Sequence, residues 1–172
     1  GKKVALIGDN GSGRTTLIRE ILKNCSEEIK INSKVAIGYF DQELKILKEE
    51  KSILDNIKED SSFDESFIRI NLDGFGFRGD SVYKKVEVLS GGEKVKVALC
   101  KIILGDNNLL ILDEPTNYLD IVSMESLESA LKNTDKTLIL VSHDKRFIEN
   151  ICDYIIYFEE GKLKSFDGSY KE

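Results

Sequence analysis

KVALIGDNGSGRTTLIREIL, residues 3–22, decides how the rest of the chain is read. Its first six residues are an apolar run short enough for a buried strand. From Thr15 to Asn24, Leu17, Ile18, Ile21 and Leu22 fall on one helical face. Between strand and helix, Gly8, Gly11 and Gly13 permit backbone conformations and a close approach that a Cβ obstructs. Successive N–H groups can therefore surround an anion at the helix N-terminus. The spacing fits the phosphate-binding pattern G-x-x-x-x-G-K-[ST] at Gly8, Gly13 and Thr15, but Arg14 stands where the pattern has lysine. The residues expected to hold phosphate are Gly8, Asp9, Asn10, Gly11, Ser12, Gly13, Arg14, Thr15 and Thr16, with the Thr15 hydroxyl placed to reach Mg²⁺.

The same alternation continues outward. VAIGYF (35–40), LLILD (109–113), TLILVS (137–142) and YIIYF (154–158) read as strands, while VKVALCKIIL (95–104), MESLESALKN (124–133) and KRFIENI (145–151) read as helices. Strands alternating with helices predict an α/β fold with a mostly parallel sheet flanked by helices. From about Glu43 to Val88 the strand runs stop, and polar, helical text takes over, with Ser52 as an N-cap before Ile53, Leu54 and Ile57. Residues 43–88 are thus expected to be a short inserted helical subdomain in a single domain, 1–172. Within it GFGFRG (74–79) satisfies G-x-G-x-x-G, but it follows a helical stretch and opens no βαβ unit, so it reads as a turn with Phe75 and Phe77 as packing residues. Ile53, Leu54, Ile57, Phe67 and Ile68 are expected in the core.

Composition bounds the function. The 172 residues are 41% hydrophobic and 33% charged, and no apolar run approaches the length of a membrane span. A net charge of −6 supplies no basic field for nucleic acid. Cys25, Cys100 and Cys152 are odd in number and widely spaced, which argues against a disulfide framework or zinc site and fits a reducing cytoplasm.

Three further stretches carry chemistry. In LLILDEP (109–115) an apolar strand ends in Asp113 and Glu114, placing two carboxylates at the edge where open α/β sheets bind ligands. Asp113 suits Mg²⁺, and Glu114 suits the polarisation of an attacking water as general base. LSGGEK (89–94) sets Ser90, Gly91 and Gly92 at a helix start, an arrangement of hydroxyl and N–H groups suited to an anion. VSHD (141–144) holds the only histidine of the chain, His143.

LSGGE between a phosphate loop and a D-E strand resembles the signature of ATP-binding-cassette (ABC) ATPases, and the other family markers follow in order. Gln42 in GYFDQE resembles the glutamine that senses Mg²⁺ and the attacking water. Leu119 and Asp120 resemble the D-loop, and His143 the switch histidine that contacts the γ-phosphate. The resemblance implies a P-loop ABC-type core with ATP and Mg²⁺ as cofactors. Catalytic roles then fall to Glu114, His143 and Gln42, metal binding to Thr15, Gln42 and Asp113, and nucleotide contact to Ser90–Gly92.

It also implies head-to-tail pairing with a second cassette, in which the 8–16 loop of one meets Ser90–Gly92 of the other. EPTNYLD (114–120), VSHDKRFIENICD (141–153) and the closing FDGSYKE (166–172) resemble the ABC-F branch, soluble tandem ATPases that act on ribosomes and include antibiotic-resistance factors, although Tyr118 replaces that branch's usual histidine. On this resemblance the chain reads as a C-terminal cassette lacking the earlier strands and their adenine-stacking aromatic, so weak discrimination between ATP and GTP is expected. A ribosomal role would pass through a linker outside this chain. The ATP-binding subunit of a transporter is the other branch. A nucleotide-gated binding module is the other class of function: Arg14 favours it, while Glu114 and His143 favour a hydrolysing motor.

Overall fold

The computed structural model describes residues 1–8, 13–24, 29–40, 43–159 and 162–166. In chain order the elements are β1 (Lys3–Gly8), α1 (Arg14–Lys23), β2 (Ile37–Phe40), α2 (Ile53–Lys58), α3 (Glu65–Gly74), α4 (Gly91–Leu104), β3 (Leu109–Asp113), α5 (Ile121–Asn133), β4 (Thr137–Val141), α6 (Lys145–Ile151), β5 (Tyr154–Glu159) and β6 (Lys162–Phe166). Two 3₁₀ turns, Gly79–Tyr83 and Val86–Val88, join α3 to α4.

The six strands form one sheet in the order β2-β3-β4-β1-β5-β6. Neighbours from β2 to β5 are parallel, and β6 alone runs antiparallel, against β5. Parallel strands put every C-terminal end on one edge of the sheet, and that edge is where ligands of open α/β folds bind. Leu110, Ile111 and Leu112 are all fully buried, three successive residues on alternating faces, so helices cover both sides of the sheet.

Helix α4 is apolar around its circumference and buried from Val97 to Leu104. One continuous core joins it to the sheet and to Ile53, Ile57, Ile68, Leu72, Phe75 and Phe77 of the 43–88 segment, which among its described residues contains helices and 3₁₀ turns and no strand of the sheet. Two lysines brace the far end of α4. The Lys101 side chain, 6% exposed, reaches the Asp60 carboxylate at 3.0 Å, and Lys136 donates to the carbonyls of Ile103 and Gly105 at 2.7 and 2.6 Å, which the helix end leaves without partners.

The strands, helices and turn read from the sequence fall where expected, with instructive differences at their ends. Helix α4 opens at Ser90–Gly92, as LSGGEK reads, and runs on through the apolar stretch 95–104, because Ser90 and Glu93 close a capping box. Helix α5 starts three residues before Met124 because the Asp120 carboxylate accepts from the Ser123 N–H. Ser52 caps α2 as read, its hydroxyl accepting from the Asp55 N–H at 3.0 Å. Phe67, expected in the core, is 41% exposed. It lies one position before the buried Ile68, on the outer side of α3, stacked on Phe63 with ring centroids 4.6 Å apart. The β6 strand escapes the reading because KLKSF lacks an apolar run: it is an edge strand whose described side chains are all exposed. Cys100 and Cys152 are free thiols, and burial pushes both up to about 12.

Candidate active site

Three adjacent strands, β3, β4 and β1, carry Asp113 and Glu114, His143, and the start of the glycine stretch at or just beyond their C-terminal ends. Strand β1 ends at Gly8, and Gly13 then caps α1 with φ at +110°, a left-handed conformation suited to glycine. A Cβ on Gly13 would also stand 2.7 Å from the Phe158 ring of β5, so sterics and backbone both require glycine there. Arg14, Thr15 and Thr16 form the first turn of α1, with both threonines exposed. The positive end of this helix dipole, where backbone N–H groups lack helical partners, faces the sheet edge that favours anions. Asp9, Asn10, Gly11 and Ser12 lie outside the described residues, as does Gln42, which follows the end of β2 by two positions.

At the end of β3, Asp113 pairs in register with Val141 of β4, and the Glu114 N–H continues the ladder to the Val141 carbonyl at 2.8 Å. Glu114 then turns with φ at +50°, a strained conformation for a residue with a side chain. That turn sends its carboxylate toward His143, two positions past the end of β4. Glu114 Oε1 lies 3.3 Å from His143 Nε2, and Oε2 accepts a long 3.4 Å bond from the His143 backbone N–H. Oε1 is buried and, among the described residues, has no aligned hydrogen-bond partner. A buried carboxylate oxygen left this way has capacity for a water or another polar ligand.

Burial, the dominant influence, raises the Glu114 carboxyl above its ordinary range. His143 and, more weakly, Arg14 pull it back, while the Asp113 charge pushes it further up. The same balance places Arg14 and His143, both far away in sequence, within electrostatic reach of Glu114, as it does the adjacent Asp113. His143 itself is 63% exposed at the mouth of the group.

Ser90, Gly91 and Gly92 are not part of this group. They open α4 beside the 118–120 segment, where a Cβ on Gly92 would meet the Tyr118 carbonyl at 3.5 Å. The Ser90 hydroxyl donates to Glu93 Oε2 at 2.9 Å while accepting from the Glu93 N–H. Within the chain, then, the serine spends its donor on its own helix.

Two features of this region lay beyond the sequence reading. Glu93 closes the cap, a relation that the S-x-x-E spacing does announce. Lys96, one turn into α4, forms an ion pair with Asp120, so a single carboxylate joins the start of α4 to the start of α5. Nothing in the spacing of 24 residues signals that pair.

The fold and the alignment of these strand ends define a P-loop nucleotide-binding cassette. A family model described as ABC transporter matches residues 1–117, and the chain belongs to that family. Among curated relatives it is 40% identical over 99% of its length to the putative ATP-binding protein YdiF of Bacillus subtilis (strain 168), 38% identical over 99% to ABC transporter F family member 5 of Arabidopsis thaliana, and 33% identical over its whole length to elongation factor 3B of Saccharomyces cerevisiae. It spans only 27%, 25% and 16% of those proteins respectively. In fold it is similar, with a TM-score of 0.72 and 21% identity over 96% of this chain and 85% of the other, to the ATP-binding cassette MJ0796, solved as a dimer in a post-hydrolysis state with ADP and Pi. Among the described residues no helix is long and apolar enough to cross a membrane.

Proposed function

We propose that this cassette binds Mg-ATP and hydrolyses it, pairing head to tail with a second cassette so that nucleotide state opens and closes a clamp. The observation that carries the reading is the half-buried, backbone-strained Glu114. It stands beside His143, with a buried oxygen available to a water, at the edge where β1 leads into the glycine loop.

The residues suit the groups they would hold. Backbone N–H groups at the start of α1 and the Arg14 guanidinium hold polyphosphate oxygens. The Thr15 hydroxyl, Asp113 and Gln42 supply the hard oxygen ligands that Mg²⁺ takes. When bound, Mg²⁺ supplies charge neutralisation at the phosphate oxygens. Glu114 accepts a proton from the attacking water, and His143 donates a hydrogen bond toward the terminal phosphate while restraining Glu114. Arg14 retains the charge of the usual lysine but not its shape. Guanidinium is planar and forked where an ammonium is a compact point, so ground-state attraction survives better than transition-state fit, and turnover is slow.

Pairing is supported by the fold likeness to a dimeric cassette and by the exposure of Ser90 and Gly91 at the opening of α4. The relatives named as an ABC transporter F family member and an elongation factor support the ABC-F part of the reading. Action at the ribosome through parts of a longer protein, a part in antibiotic resistance and a cytoplasmic location belong to the same proposal. Residues 43–88 act as the helical subdomain that carries Ser90–Gly92 toward the partner.

Phosphate release from the complete protein, compared with its Glu114→Gln form, tests this proposal. The account expects a loss of at least about a hundredfold, as for removal of a general base, with Mg-ATP still bound. Equal rates in the two forms would leave a binding module in place of a motor.

A further inference from the structure

Away from the catalytic edge, α3 and α5 form the walls of a groove of about 770 Å³. The walls touch at one end, where Ser126 Oγ donates to the Gly74 carbonyl at 2.6 Å and a Cβ on Gly74 would crowd that hydroxyl at 3.2 Å. From this contact the groove runs toward Phe63 on one side and Asn133 on the other, with buried Phe75 and Leu104 beneath it. Its lips are apolar and open to water: Phe63 is 45% exposed, Phe67 41%, Ile70 70% and Val122 65%. Four large apolar side chains gathered on one concave face have no part in the folding core, and surfaces of this kind mark binding sites.

The charge around the groove narrows its occupant. The ionisable residues that line it are Glu125, Asp135 and Lys136. The Lys136 ammonium is turned inward to the Ile103 and Gly105 carbonyls and to Asn107 Oδ1, at 2.7, 2.6 and 3.3 Å, so the rim presents two carboxylates. The chain as a whole carries −6. An acidic rim repels nucleic acid and anionic lipid, and it complements lysine or arginine. The walls are helices of 10 and 13 residues, about 15 and 20 Å long at 1.5 Å per residue, which matches an occupant of two to four helical turns.

We propose that the α3–α5 groove is the docking site for an amphipathic α-helix of a protein partner, its apolar face seated on Phe63, Phe67, Ile70 and Val122 and its flanking basic residues facing Glu125 and Asp135. The proposal does not depend on nucleotide hydrolysis. Because α5 is capped by Asp120, which is tied to Lys96 near the start of α4, a helix seated here bears on the element that carries Ser90–Gly92.

A direct test titrates the complete protein with a fluorescent 18-residue peptide of leucine at i, i+3, i+4 and i+7 and lysine elsewhere, together with its glutamate counterpart, by anisotropy. The lysine peptide is expected to bind in the micromolar range. Binding should weaken at least tenfold in Ile70→Asp and in Val122→Asp, both at exposed positions where circular dichroism should report an intact fold. In the Glu125→Lys, Asp135→Lys double variant the preference should reverse toward the glutamate peptide. Absence of binding, equal binding to the Ile70→Asp form, or an unchanged charge preference in the double variant would overturn the assignment. Self-association of the protein abolished by Ile70→Asp, without peptide binding, would equally overturn it in favour of a second copy.

Discussion

Glu114 concentrates the conflict on which the proposed chemistry runs. Its backbone is held at a positive φ, its carboxyl is raised mainly by burial, and its nearest cation is an imidazole that carries charge only when protonated. A carboxylate whose folded value is raised is penalised when ionised, so its base form is lost at a higher pH than in a free side chain. The acid limb of the turnover profile is therefore expected above pH 4.5, the ordinary value, and a limb at or below it would show that burial does not govern this group. Arg14 sets the other residue-scale expectation. Arg14→Lys should bind Mg-ATP comparably and turn it over faster, and each tenfold gain corresponds to about 1.4 kcal/mol of barrier. A rate in the lysine form equal to or below that of the arginine form would contradict the role assigned to guanidinium geometry.

At the scale of elements, caps decide where helices begin and how the signature helix is anchored. The Lys96 ammonium, and secondarily the Ser123 N–H, hold the Asp120 carboxyl down at about 2. Asp120→Ala removes the cap of α5 and should cost about 1 kcal/mol in denaturant unfolding. Asp120→Asn keeps the cap and loses only an ion pair whose carboxylate side is more than half exposed to water, so its cost should be smaller and should shrink further with salt. The sign follows from the depressed value: this stabilisation is complete above about pH 3.8 and fades as pH falls toward 2. A unfolding profile flat across that window would remove the ion pair from the account.

Strands β1, β3, β4 and β5 were legible in the sequence because each is a short unbroken apolar run, and α6 because Phe147, Ile148 and Ile151 repeat at helical spacing. The start of α5 was read too late because the Asp120 cap, not the first apolar residue, sets the boundary. Phe67 was misplaced because a hydrophobic residue can serve a surface groove as well as a core. The Lys96–Asp120 pair depends on two segments meeting in space, which no local pattern records.

For the whole molecule, the sheet order makes the site. Strands β3, β4 and β1 are neighbours in space though separated in sequence, and their parallel direction delivers Asp113, Glu114, His143 and Gly8 to one edge. The motifs were legible one by one, and the strand order supplies the reason that Asp113, Glu114 and His143 meet. Helices α3 and α5 likewise converge only in the fold, and the groove between them has no signature in either segment. Isothermal titration calorimetry of the complete protein with ATP, with and without Mg²⁺, tests the central claim most directly. The account predicts saturable, magnesium-dependent binding below the millimolar range, and absence of uptake at millimolar nucleotide in a folded sample would contradict it.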